Sequence, residues 1–129
     1  MTRILVVDDD EDNIKLFTII LEHVGFKVYS YSDPIEALKE FKASYYDLVI
    51  LDYLMPGMNG LELYKILRQS DESIKALILT ASREQLFSSH NEEFRDAVLK
   101  IVGKPILIQK LLDEIDSILC CVKKTNIVA

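Results

Sequence analysis

The chain has 129 residues, half of them apolar, with 15 lysines and arginines against 21 aspartates and glutamates for a formal net charge of −6. That length suits one domain burying roughly two thirds of the surface its unfolded form exposes, and the negative balance excludes a broad nucleic-acid footprint, which needs basic patches to release counterions. The uninterrupted apolar runs fall far short of the ~20 residues that span a bilayer, and Thr2, Arg3 and Asp8 spoil a secretory leader, so a cytoplasmic protein without membrane insertion is expected.

The first apolar run, residues 4–7, has strand length and ends in Asp8, Asp9 and Asp10. A helix follows, with Ile14, Phe17, Leu21 and Val24 at helical spacing and Gly25 as a left-handed stop; Asp10 or Asp12 is suited to cap its start. A second run at 28–31 precedes Asp33, Pro34 and Glu36, which read as an N-cap, a proline at the first helical position and the acid of a capping box. Leu38 and Phe41 mark the buried side of that helix. The third run, 48–51, follows Tyr45 and Tyr46, which read as cover at the strand entry, and ends in Asp52.

Pro56, Gly57, Asn59 and Gly60 then form a turn that shapes a pocket mouth, with Met55 and Met58 as packing residues. A third helix is predicted from about Gly60 to Arg68 on Leu61, Tyr64 and Leu67. The fourth run, 76–79, ends in Thr80; Ser82 and Gln85 then suggest another capped helix, and a fifth run at 98–102 precedes Lys104. After Pro105 a last helix carries Ile108, Leu111, Leu112, Ile115, Leu119 and Val122, and residues 123–129 are expected to fray beyond a domain of residues 1–122. Cys120 and Cys121 are adjacent and have no metal-ligand spacing, so they read as buried or idle thiols, and His23 and His90 as surface histidines. Strand and helix in alternation imply an α/β fold with a parallel sheet.

In such a sheet the ligand crevice lies beyond the carboxyl ends of the strands, where strand order reverses. Asp8, Asp9, Asp52, Thr80 and Lys104 all stand at such ends, so five sequence-distant groups converge on one rim. Like charges about 4 Å apart repel by roughly 4 kcal/mol at an effective dielectric of about 20, and a fold that gathers carboxylates needs a cation or a proton. Oxygen ligands without histidine or cysteine suit a hard ion, and Mg²⁺, which keeps several waters, fits better than Zn²⁺ or caged Ca²⁺. Beside it, one carboxylate can attack phosphorus and become an acyl phosphate while the amine and hydroxyl hold phosphoryl oxygens. The Asp8, Asp10, Asp12 spacing imitates an EF-hand, but Asn13 stands where glycine is required and Ile19 where glutamate is, which excludes that calcium loop.

Residues 4–9 (ILVVDD), 47–60 (DLVILDYLMPGMNG), 77–81 (LILTA) and Lys104 with Pro105 together resemble the receiver domain of two-component response regulators, over nearly the whole chain. The resemblance implies a flavodoxin-like, doubly wound, five-stranded parallel sheet with helices on both faces. It implies Asp52 as phosphoacceptor, Thr80 and Lys104 as phosphoryl contacts, and Mg²⁺ held by Asp8, Asp9, Asp52 and the backbone carbonyl of Leu54, with Asp9 the direct ligand. It also implies a sensor histidine kinase or histidine phosphotransfer protein as donor, an unnamed downstream protein, output through the fourth helix, fifth strand and last helix, and a monomer or a phosphorylation-dependent dimer. Such a protein is not an enzyme beyond its own phosphorylation and slow dephosphorylation.

Two positions depart from the family pattern. Ile101 stands where an aromatic residue commonly rotates inward, and Ile106 where phenylalanine usually follows the lysine-proline pair. Two rival functions define what must be tested. A receiver-like interaction module that is never phosphorylated would retain the fold alone. A phosphohydrolase of the haloacid dehalogenase type would use Asp8 and Asp10 as its aspartate pair, but Glu11 is foreign to that motif.

Overall fold

A computed structural model of the chain describes residues 1–81, 99–104 and 106–128. The helix expected after Ser82 and Gln85, together with His90, Val98, Pro105 and the side chains of Cys120, Cys121 and Val122, lies outside the described residues. The elements run β1 (Arg3–Val7), α1 (Glu11–His23), β2 (Lys27–Tyr31), α2 (Pro34–Glu40), β3 (Leu48–Asp52), α3 (Gly60–Ser70), β4 (Ala76–Thr80), β5 (Leu99–Gly103) and α4 (Ile108–Val128). The strands form one parallel sheet in the order β2-β1-β3-β4-β5. The chain leaves β1 to one side for β2 and crosses to the other for β3, so strand order reverses between β1 and β3.

The continuous apolar runs are explained by burial on both faces of the central strands, where side chains alternate between two cores. Leu5, Val7, Val49, Leu51, Ala76 and Ile78 face α2 and α3, meeting Ala37, Leu61, Leu63, Tyr64 and Leu67. Ile4, Val6, Leu48, Ile50, Leu77 and Leu79 face the other way, onto Phe17 and Leu21 of α1 and Leu111, Ile115 and Ile118 of α4. The flavodoxin-like expectation of helices on both faces is thereby met. Edge strand β2 is only partly buried, and its Tyr29 stacks edge-on with Tyr45 and Tyr46, which do cover the entry to β3.

Local signals set the helix ends. Asp10 accepts from the Asp12 amide at 2.9 Å and caps α1. At the far end Gly25, at φ 102°, donates to Glu22 O and Phe26 donates back to Leu21 O, the paired bonds of a glycine-terminated helix. Val24, expected in the buried stripe, is therefore the C-cap and 46% exposed. The capping box expected at α2 is not the bond formed there: the Asp33 carboxylate takes the Ile35 amide, one position short of Glu36. The reciprocal pair is instead at α3, where Asn59 and Glu62 each accept the other's backbone N–H. In α4 the buried line is Leu111, Ile115 and Ile118, leaving Ile108 52% exposed. The backbone of α4 also continues through residues 123–128, where fraying is expected, because no glycine or proline interrupts that stretch.

Candidate functional site

The rim at the carboxyl ends of the strands is built by backbone bonds before any side chain contributes. Asp8 N–H extends the β1–β2 ladder to Tyr31 O at 3.2 Å, Tyr53 N–H reaches Leu79 O at 2.8 Å, and Lys104 N–H reaches Thr80 O at 2.7 Å. These bonds carry strand registry one residue past β1, β3 and β5. Asp8, Asp52, Thr80 and Lys104 consequently arrive at the same level from four different strands.

Asp52 and Asp8 are buried, at 7% and 1% exposure, while Asp9 faces solvent. Oxygens of all three carboxylates lie within 4.8 Å of one another. Lys104 reaches in, its Nζ 2.8 Å from Asp52 Oδ1 and 3.8 Å from Asp8 Oδ2. Asp8 is held by its own neighbourhood: Oδ1 accepts from Asp10 N–H at 2.9 Å and Oδ2 from the Asn13 side-chain amide at 3.4 Å. Thr80 is buried at the end of β4 beside this cluster. Leu54 lies two residues past Asp52 in the β3–α3 loop with its side chain 62% exposed.

Burial dominates the electrostatics of Asp52 and raises its pKa to about 6; the Lys104 hydrogen bond and charge pull it down, and the charges of Asp8 and Asp9 push it further up. One ammonium thus offsets only part of the cost of three gathered carboxylates. The donor set fits a small hard cation: oxygen only, two buried acids to fix the position and one exposed acid that leaves room for coordinated water.

The loop after β3 is pressed close to the site. Gly60 donates to Tyr53 O at 2.8 Å, and a Cβ at Gly60 would stand 2.5 Å from the backbone oxygen of Asp52. No β-carbon fits there, so Gly60 is part of what places Asp52, beyond its role in a turn. Asn13 is the other contributor that motif reading misses. Its signal was available, since it sits three residues past the Asp10 cap and so on the first turn of α1, facing back over Asp8. The acids assigned to capping, Asp10 and Asp12, stay out of the cluster: Asp10 caps α1, and Asp12 supplies the amide it binds.

Among known proteins, the transcriptional regulatory protein PhoP for alkaline phosphatase synthesis in Bacillus subtilis is 41% identical over 83 residues, 64% of this chain and 35% of that protein. The chain thus matches about a third of that relative's length. The Thermotoga maritima response regulator TrrA, solved in complex with Mg²⁺-BeF, superposes with a TM-score of 0.79 at 34% identity, covering 92% of this chain and 100% of the other. The Vibrio cholerae chemotaxis protein CheY4 gives a TM-score of 0.80 at 26% identity, over 92% and 99% of the two chains. The family model for the response regulator receiver domain matches residues 4–116. That stretch takes in the whole carboxylate rim and enters the last helix, and the chain belongs to the receiver domains of response regulators.

Proposed function

We propose that the chain is a phosphoacceptor: the Asp52 carboxylate takes a phosphoryl group from a phosphohistidine on a sensor kinase or histidine phosphotransfer protein. The observation that carries this reading is the Lys104 ammonium 2.8 Å from Asp52 Oδ1 within a cluster of three carboxylates. Asp52 attacks phosphorus in line, and the donor nitrogen departs on the opposite side. Lys104 moves from the carboxylate to the incoming phosphoryl oxygens, whose charge it stabilises, and the Thr80 hydroxyl donates to another. Asp8, Asp9, Asp52 and the Leu54 carbonyl would hold Mg²⁺, the ion named with TrrA, and when bound it neutralises charge shared between the phosphoryl group and the acids. Asp8, locked by Asp10 and Asn13, needs no rearrangement to present its carboxylate.

The acyl phosphate on Asp52 is then the signal, and it leaves through a change of surface read by another protein. Ile101, partly buried against the α2–α3 core, carries no ring to rotate, so we assign the read-out to a shift of packing along β5 rather than to an aromatic switch. The net charge of −6 favours a protein partner over direct DNA contact. No helix among the described residues is long and apolar enough to cross a membrane, and we place the protein in the cytoplasm with its donor.

The test is incubation with Mg²⁺ and acetyl phosphate, followed by intact mass. One phosphoryl group, stable to acid and labile to base, is expected on the wild type and absent from Asp52→Ala. Steady turnover of many phosphate esters would instead reveal a hydrolase. Absence of both adduct and Mg²⁺ binding would leave only the interaction module.

A further inference from the structure

Tyr29 of edge strand β2 and Tyr45 of the segment between α2 and β3 meet hydroxyl to hydroxyl, 2.7 Å apart. Their rings stand edge to face, with centroids 5.5 Å apart at 69°. Both rings pack against the α2–α3 core and stay half-buried at the sheet edge, so the pair is held by packing yet reachable from solvent. Cations line it: the Arg3 guanidinium is 4.3 Å and the Lys42 ammonium 5.2 Å from the centre of the Tyr45 ring, and the Lys27 ammonium is 5.8 Å from that of Tyr29. The hydrogen bond from Tyr45 holds the Tyr29 phenol below its usual pKa, with the charges of Lys27 and Arg3 pulling the same way, and the same bond raises Tyr45. Tyr29 is thus the phenol that gives up its proton first, and Tyr45 the donor that steadies the phenolate.

We propose that Tyr29 and Tyr45 form a site of oxidative modification, joined by a carbon–carbon bond into an intramolecular dityrosine when a haem peroxidase acts with hydrogen peroxide. The site is separate from the carboxylate rim: Tyr45 precedes β3 and Arg3 opens β1, which places the pair toward the strand starts, at the opposite end of the sheet. Each phenol loses one electron and one proton to become a phenoxyl radical, whose unpaired spin is shared between the oxygen and the ring carbons beside it. Hydroxyls in hydrogen-bond contact bring those carbons of the two rings close together. A bond forms between one such carbon of each ring, and the two displaced ring hydrogens move to the oxygens, which restores both phenols. The protein loses two hydrogens in all, and one hydrogen peroxide takes them up to give two waters. Partners already held in place couple faster than rings that must meet by diffusion, so the product is a cross-linked monomer. Tyr46 touches both rings edge-on, but it is buried and, among the described residues, its hydroxyl bonds to neither.

The test treats the full chain with a haem peroxidase and hydrogen peroxide and follows dityrosine fluorescence, intact mass and the linked peptides of a digest. A monomer lighter by two hydrogens is expected, with residues 29 and 45 in one linked peptide. Tyr29→Phe and Tyr45→Phe, which keep the ring and remove one hydroxyl, should each lower monomer dityrosine by about tenfold or more, whereas Tyr46→Phe should retain it. Because the bond closes a loop between residues 16 apart in a geometry the fold already has, the oxidised monomer should melt higher by on the order of 10 °C. A monomer of unchanged mass, a product made chiefly of covalent dimers, a cross-link that survives Tyr29→Phe or Tyr45→Phe, or a melting temperature that fails to rise would each overturn the proposal.

Discussion

Asp52 is held in a conflict that its neighbours only partly relieve. Burial raises its pKa from 3.8 to about 6, so between these values the folded chain binds more protons than the unfolded one. Raising pH through that window therefore lowers stability, and the full penalty is present above pH 6. Asp52→Asn removes the charge and keeps the shape. In metal-free protein the variant should match wild type near pH 4 and exceed it by on the order of 2 kcal/mol at pH 7, as read from urea unfolding at a series of pH values. A stability difference that does not grow with pH would refute the assignment of the shift to Asp52.

Gly60 poses a different problem at the same scale. As a helical residue it would gain about 1 kcal/mol on becoming alanine. Yet the new Cβ would stand 2.5 Å from Asp52 O, a backbone atom that cannot swing aside. Displacing backbone at a packed site costs about 3 kcal/mol, so the clash wins. Gly60→Ala should lose about 2 kcal/mol by urea titration and, because the shifted atom belongs to Asp52, slow the phosphorylation proposed there as well. Asp8, Asp52, Thr80 and Lys104 were legible in the sequence because each ends or follows an apolar run. The role of Gly60 was not, because a close approach across a loop leaves no pattern in composition; that of Asn13 was signalled only by its place on the first turn of α1, three residues past the Asp10 cap.

Among the elements, the helices depend on caps to different degrees. In α3 the Asn59 and Glu62 side chains satisfy two backbone N–H groups at 2.8 and 3.0 Å. Asn59→Ala removes the acceptor of the Glu62 backbone N–H while the backbone N–H at 59 can still reach the Glu62 carboxylate, and should cost about 1 kcal/mol in urea unfolding. Asp33→Ala should cost no more than that, since its carboxylate serves one amide and Pro34 already presets the first turn. The strands follow from the apolar runs, and the starts of α1 and α2 from their cap residues. Element ends were less legible: Val24 reads as stripe but caps α1, and α4 outruns its apolar stripe because backbone bonding continues wherever nothing interrupts it.

At the scale of the whole molecule, four strands bring their terminal groups to one rim, and a ligand bound there ties distant segments together. A cation that binds only the folded state stabilises it by about 2.7 kcal/mol at a hundredfold excess over its dissociation constant. For a domain of this size that corresponds to a rise in Tm of roughly 8 to 15 °C. Calorimetry with Mg²⁺ should show such a rise against sodium chloride at matched ionic strength. Asp9→Ala, at an exposed position outside both cores, should abolish the rise while leaving the metal-free Tm nearly unchanged.

The sequence by itself determined the parallel α/β architecture and the membership of the acidic rim, because apolar runs of strand length and the polar residues closing them are written in the order of the chain. Only the tertiary structure decided how distant residues meet: which carboxylate Lys104 faces at 2.8 Å, that Asn13 and Asp10 clamp Asp8, and that Tyr29 and Tyr45 join at their hydroxyls. Those relations depend on strand order, registry and the crossing of helices over the sheet. They arise when segments far apart in the chain pack together, and no local preference encodes the distance between them.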